Sequence, residues 1–168
     1  MRRLWNMTSR RIGSCLGVAV LTLCGLVAPA AAANQVTFTA TGTAVITEVT
    51  NLPGGLIQVD FSVTGTATHL GNVSGPLTRI QDHQGNFGST AVFVAANGTD
   101  SVFLTISGQF ERTGGKCVLT STGTYTVTGG TGAFANATGS GTSITQTDTC
   151  AGTASGTYSG TISQPNSN

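Results

Sequence analysis

Few residues of this chain could do chemistry, and they are thinly spread. Glu48 comes first. It shares an alternating phase with Val36, Phe38, Ala40, Gly42, Ala44 and Ile46, so it is expected to reach the mouth of the core that this strand lines. Burial there would raise its pKa and suit it to general-acid work, which makes it the catalytic candidate. The plainer alternative is a strand-end carboxylate in water. Asp60 lies on the polar phase of the next strand and is read as solvated. His69 follows the phase of Val59, Phe61, Val63, Gly65 and Ala67 and is read as a satisfied strand-end histidine opposite Val36. That places it at the far end of the hairpin from Glu48, so the two cannot form one acid–base couple. His83 beside Asp82 sits in a polar loop without the further ligands that a metal needs. Arg79 would bind a ligand carboxylate if it entered a closed sheet, with a surface position as the alternative. Phe61, Tyr125 and Tyr158 fall on interior phases and either line a pocket or simply pack. No metal and no cofactor is expected.

Familiar catalytic patterns are missing. The sequence contains no GxSxG, HExxH, P-loop or EF-hand pattern. Gly130-x-Gly132-x-x-Ala135 loosely matches a dinucleotide fingerprint, but that site needs a helix next. Ala135 to Gly141 is Asn, Thr, Ser and Gly without helical period, so the reading fails. Asn72-Val73-Ser74, Asn97-Gly98-Thr99 and Asn136-Ala137-Thr138 match the glycosylation sequon, as chance allows in a Thr-rich chain.

The first 33 residues read as an export signal. Arg2, Arg3, Arg10 and Arg11 form a basic start, Ile12 to Val27 is apolar, and Pro29 with Ala30 to Ala33 offers a cleavage site. The expected mature domain is residues 34–168, secreted or periplasmic. It keeps Arg79, Arg112 and Lys116 against Glu48, Asp60, Asp82, Asp100, Glu111 and Asp148, a net charge of −3. Nucleic-acid binding needs clustered positive charge and is excluded. No later segment is long and apolar enough to span a membrane. Cys117 and Cys150 are the two cysteines left in this domain. An isolated pair in an exported chain reads as a disulfide. They are symmetric about the glycine-rich reversal near residue 133, so a hairpin there sets them face to face near its open end.

Period-two alternation predicts about eight strands and no helix. Val36–Glu48 and Val59–His69 form a first hairpin about Asn51–Gly55, with Ile46 expected opposite Val59, Ala44 opposite Phe61 and Phe38 opposite Ala67. Weaker strands follow near Ser74–Asp82 and Gly88–Ala96, and Asn97-Gly98 signals a turn. Val102–Phe110, Cys117–Thr128, Ala137–Thr149 and Ala154–Ile162 complete the set. In the stretch Tyr125–Gly141 a strand runs into Gly129, Gly130 and Gly132. Phe134, the one large apolar group of that reversal, is placed to plug a core. Short turns favour antiparallel neighbours. Closing the meander into one barrel removes both edges, with a two-sheet sandwich as the alternative. Residues 91–96 and 102–104 are apolar on both phases, which predicts an oligomer contact or a packed loop over the outer one.

Thr128-Gly129-Gly130-Thr131-Gly132-x-Phe134-x-x-Ala137-x-Gly139 resembles the hairpin motif shared by plant allene oxide cyclases and dirigent proteins. It is closer still to exported bacterial proteins with an allene-oxide-cyclase-like barrel. Gly65-x-Ala67-Thr68-His69-Leu70-Gly71 and Ala95-Ala96-Asn97-Gly98 are similar to segments of those bacterial chains. The resemblance implies an eight-stranded antiparallel barrel, often trimeric in the plant relatives. Glu48, Asn51 and Pro53 echo the cyclases' glutamate, asparagine and Ser-Pro at shorter spacing and without the serine. The expected function is an exported barrel that binds a small apolar molecule or a partner without turnover. The alternatives are a cofactor-free cyclase or isomerase, and a passive envelope protein. The state of the barrel interior separates them.

Overall fold

Eight antiparallel strands run in sequence order, and the last pairs with the first. The computed structural model describes residues 34–163 and Pro165; the expected export signal, residues 1–33, lies outside the described residues. The strands are β1 Gln35–Leu52, β2 Leu56–Ala67, β3 Gly71–Gln81, β4 Asn86–Ala95, β5 Ser101–Gly114, β6 Val118–Thr131, β7 Gly139–Asp148 and β8 Thr153–Ser163. β8 closes on β1 from Gln35↔Ser163 to Val45↔Thr153. The fold is the expected closed barrel, not the sandwich. Each strand pairs with a neighbour on both sides over most of its length, so among the described residues the barrel wall has no free edge strand; residues 46–52 of β1 and 110–114 of β5 extend past it paired on one side.

Alternation decides what enters the lumen. In β6, Leu119, Ser121, Tyr125 and Val127 are buried, while Thr122, Thr124 and Thr126 are exposed. Threonine suits the outer face because its branched side chain fits a pleated, half-solvated surface. That face carries mainly hydroxyls rather than the apolar band of a lipid-facing barrel. Among the described residues, no helix is long and apolar enough to cross a membrane.

One end of the barrel is plugged. Phe134 closes a short 3-10 turn, Gly132–Phe134, and is 1 % exposed. It joins Phe38, Val102, Leu104 and Ile162 in the buried core. Asp100 fastens the turn, accepting the Ala133 N–H at 2.9 Å and an N–H of Asn97 at 2.7 Å. Those two bonds, the Ala133 one first, hold its carboxyl below the usual carboxylate range. Mid-barrel, Tyr125 meets Phe38 and Tyr158 edge-on, with ring centroids 6.0 and 5.8 Å apart. Glycines make room for it. A Cβ at Gly160 would stand 2.6 Å from Tyr125 Oη, and one at Gly141 would stand 2.7 Å from its Cε1.

Two local expectations are corrected. In the first hairpin Ile46 pairs with Phe61, Ala44 with Val63 and Ala40 with Ala67, two residues off the expected register. The cause is a three-residue turn, Pro53–Gly55, flanked by Leu52↔Leu56, together with a bulge at Thr47. His69 is not on a strand opposite Val36. It sits in the β2–β3 turn at φ 67°, with Nε2 3.2 Å from the Thr37 carbonyl oxygen.

Cys117 and Cys150 are bonded as expected, with Cα atoms 5.5 Å apart. The bridge joins the β5–β6 and β7–β8 turns, where Thr149 N–H also donates to the Cys117 carbonyl at 2.9 Å. The double variant Cys117→Ser/Cys150→Ser is expected to lose about 3–4 kcal/mol of stability in a urea titration, from the added freedom of the unfolded chain. An unchanged midpoint would show that the bridge constrains nothing.

Candidate functional site

The half of the lumen away from the plug is not completely filled. Here β1, β2 and β8 turn small residues inward: Ala40, Gly42 and Ala44, Gly65, and Ala154 and Gly156. Phe61 and Tyr158 on β2 and β8, with Leu77, Phe87 and Phe93 on β3 and β4, supply the large side chains of the wall. The mismatch leaves a cavity of about 70 Å³. That is room for on the order of five waters. Its wall is mostly apolar, with hydroxyls from Ser89, Ser143, Thr145 and Thr147. It shares Thr43, Ala44, Ala154 and Ser155 with a depression at the disulfide end of the barrel.

Arg79 lines this cavity and is 5 % exposed. β3 carries it inward because it alternates in phase with Val73 and Leu77. Its Nη2 donates to Ser121 Oγ at 2.7 Å. Its guanidinium carbon lies 3.9 Å from the centre of the Phe87 ring and 5.3 Å from that of Phe110, within cation–π range. Its Nε is buried without a partner. Among the described residues no carboxylate pairs with it. Loss of water, opposed in part by the nearby Tyr158 hydroxyl, pulls its pKa down to about 10. Burial pushes Tyr158 up to about 12, so that phenol is neutral at ordinary pH.

The structure brings Phe61, Arg79 and Tyr158 together around the cavity. Tyr125 packs beyond it as core, with its hydroxyl buried and unpartnered. Glu48 does not reach the lumen. The bulge at Thr47 shifts its phase, so it pairs with outward Asp60 and is exposed. Its recorded side-chain contact is a long hydrogen bond, 3.4 Å, from Thr50 Oγ1. Asp60 is on the outer face as expected but is not simply solvated. It accepts bonds from Thr78 Oγ1 at 2.6 Å and Gln58 Nε2 at 2.8 Å, which hold its pKa low.

Neither loop cluster near the open end assembles a set of metal ligands. Asp82 accepts the backbone N–H groups of Gln84 and Asn86, so it serves its own turn rather than His83. Asp148 lies beside the two cysteines, but their sulfurs bond each other and its Oδ1 takes the N–H groups of Cys150 and Ala151.

Two partners of Arg79 escaped sequence reasoning. Phe87 alternates in phase with Ala91 and Phe93, and Ser121 with Leu119 and Tyr125. That phase was the available signal. Comparison of the chain with family models, curated proteins and solved structures finds no match.

A depressed arginine pKa means that the charged form is disfavoured by folding. A drop from 12.5 to about 10 corresponds to a cost on the order of 3 kcal/mol at neutral pH. It is relieved only as pH rises through 10 and the folded group gives up its proton. With no carboxylate to orphan, Arg79→Met is expected to fold at least as stably as wild type, by about 1–3 kcal/mol in urea at pH 7. A loss of that size instead would make Arg79 a structural residue.

Proposed function

We propose that this chain is an exported barrel that takes up a small, mostly apolar molecule in its lumen and does not transform it. The carrying observation is the cavity itself, opened by inward Ala and Gly on β1, β2 and β8. Strand number and strand order support kinship with the allene-oxide-cyclase-like barrels, as does the plugged reversal at Phe134. The disulfide and the character of residues 1–33 support export. A cyclase or isomerase is less well supported. Glu48 stands outside, and no Asp or Glu lines the cavity. A passive barrel with a merely imperfect core is the outcome if nothing binds.

Pentan-1-ol is a suitable first probe. Burying about five carbon groups at ~0.8 kcal/mol each gives roughly 4 kcal/mol, a Kd on the order of 1 mM. Calorimetry should detect that binding in the wild-type protein. Ala154→Leu extends a branched side chain into the cavity and should weaken it roughly tenfold or more while the barrel still melts cooperatively. Equal binding by the variant would move the site elsewhere.

A second copy of the chain is proposed to cover the outer face of β4 and β5. There Val92 and Val94 lie beside Phe103, which pairs with Val92. All three are apolar and only partly buried. Light scattering should give an oligomer, a trimer if the plant resemblance holds, and Phe103→Asp should give the monomer. A wild-type monomer would remove this contact.

A further inference from the structure

We propose that the ligand of the lumen is a compact organic acid whose carboxylate docks on the guanidinium of Arg79. This rests on the lumen-binding reading above and adds the chemistry of the ligand's head. A buried guanidinium has five N–H donors in one plane. Here Nη2 bonds neutral Ser121, Phe87 covers a face of the group, and Nε has no partner. Nε is packed out of reach of an incoming ligand, so a carboxylate would meet the guanidinium at its Nη1–Nη2 end, the planar fork that accepts it through paired, charge-assisted bonds.

A buried arginine with a purely structural role is ordinarily neutralised by Asp or Glu. Each of the six acidic residues of the domain is engaged or exposed elsewhere. Glu48 and Glu111 are exposed on their strands. Asp60 is held by Thr78 and Gln58, and Asp100 by Ala133 and Asn97. Asp82 and Asp148 each cap their own turn. The counter-charge is therefore absent from the described chain, and the site that lacks it is a cavity.

The rest of the wall sets the skeleton. Val63, Leu77, Phe93 and Ile106 offer carbon rather than charge, and the volume is about 70 Å³. An acid of about five carbons fits room for on the order of five waters. A bare inorganic anion would satisfy Arg79 and leave the apolar wall without a purpose.

The test is calorimetric titration of the purified protein at pH 7 with pentanoate, pentan-1-ol and inorganic phosphate. Wild type is expected to bind pentanoate roughly 10- to 100-fold tighter than pentan-1-ol, the range of a charge-assisted contact. Arg79→Gln should erase that preference, and Arg79→Lys should keep part of it. Pentan-1-ol binding as tightly as pentanoate to wild type would overturn the acid head and leave lumen uptake standing. Phosphate binding as tightly as pentanoate would overturn the organic skeleton. Binding of neither organic probe would overturn this inference together with the function it rests on. The wild-type comparison needs no variant, so a folding defect in Arg79→Gln cannot obscure the result.

Discussion

Closure of β8 on β1 is the constraint from which the interior follows. Once eight strands join, the circumference is fixed, and the lumen must be filled by whatever the inward phase supplies. At one end the supply is ample: Phe38, Phe134, Leu104 and Ile162 seal it. At the other, β1, β2 and β8 supply Ala and Gly, and their facing strands cannot reach far enough to meet them. The cavity is thus a consequence of side-chain size at fixed geometry, not of a loose fold. Interiors normally pack to crystal-like density, so a void at the same place as an uncompensated charge is a coincidence that stability alone does not favour.

Arg79 gives that void its character. Its neighbours are a neutral hydroxyl and two aromatic rings. These contacts hold its position without cancelling its charge. Local structure explains how it gets there, since β3 alternation leaves it no outward option. It does not explain why a chain with so few charged residues keeps one here. Functional sites are where proteins tolerate such local expense, and this is the place in the described barrel where a ligand would relieve it.

Much of the architecture was legible in the sequence because alternation, turn residues and cysteine symmetry all agree. Tyr125, Tyr158 and Phe134 read correctly as interior, and Cys117 with Cys150 as a bridge. The first hairpin misled for one reason. A bulge at Thr47 leaves no mark in composition, and a slip of one residue turned Glu48 from lumen to solvent. His69 misled differently, since Thr68–Leu70 continues the phase of β2 while the backbone has already turned. The site was half visible. Arg79 carried the signal of its apolar phase but offered an equally ordinary surface reading. The void was invisible, because the absence of side-chain volume emerges only when distant strands are brought face to face.

The measurement closest to the central claim is hydrogen exchange of the arginine side chains by nitrogen-15 NMR on the free protein. Arg79 Nε is buried without a partner, whereas Arg112 is exposed. A guanidinium whose Nε is packed away from water predicts a slowly exchanging Nε–H resonance from Arg79 beside a fast one from Arg112. Equally fast exchange at both would mean that water reaches the Arg79 Nε freely, and the account of a buried, unpaired guanidinium in the lumen would fail.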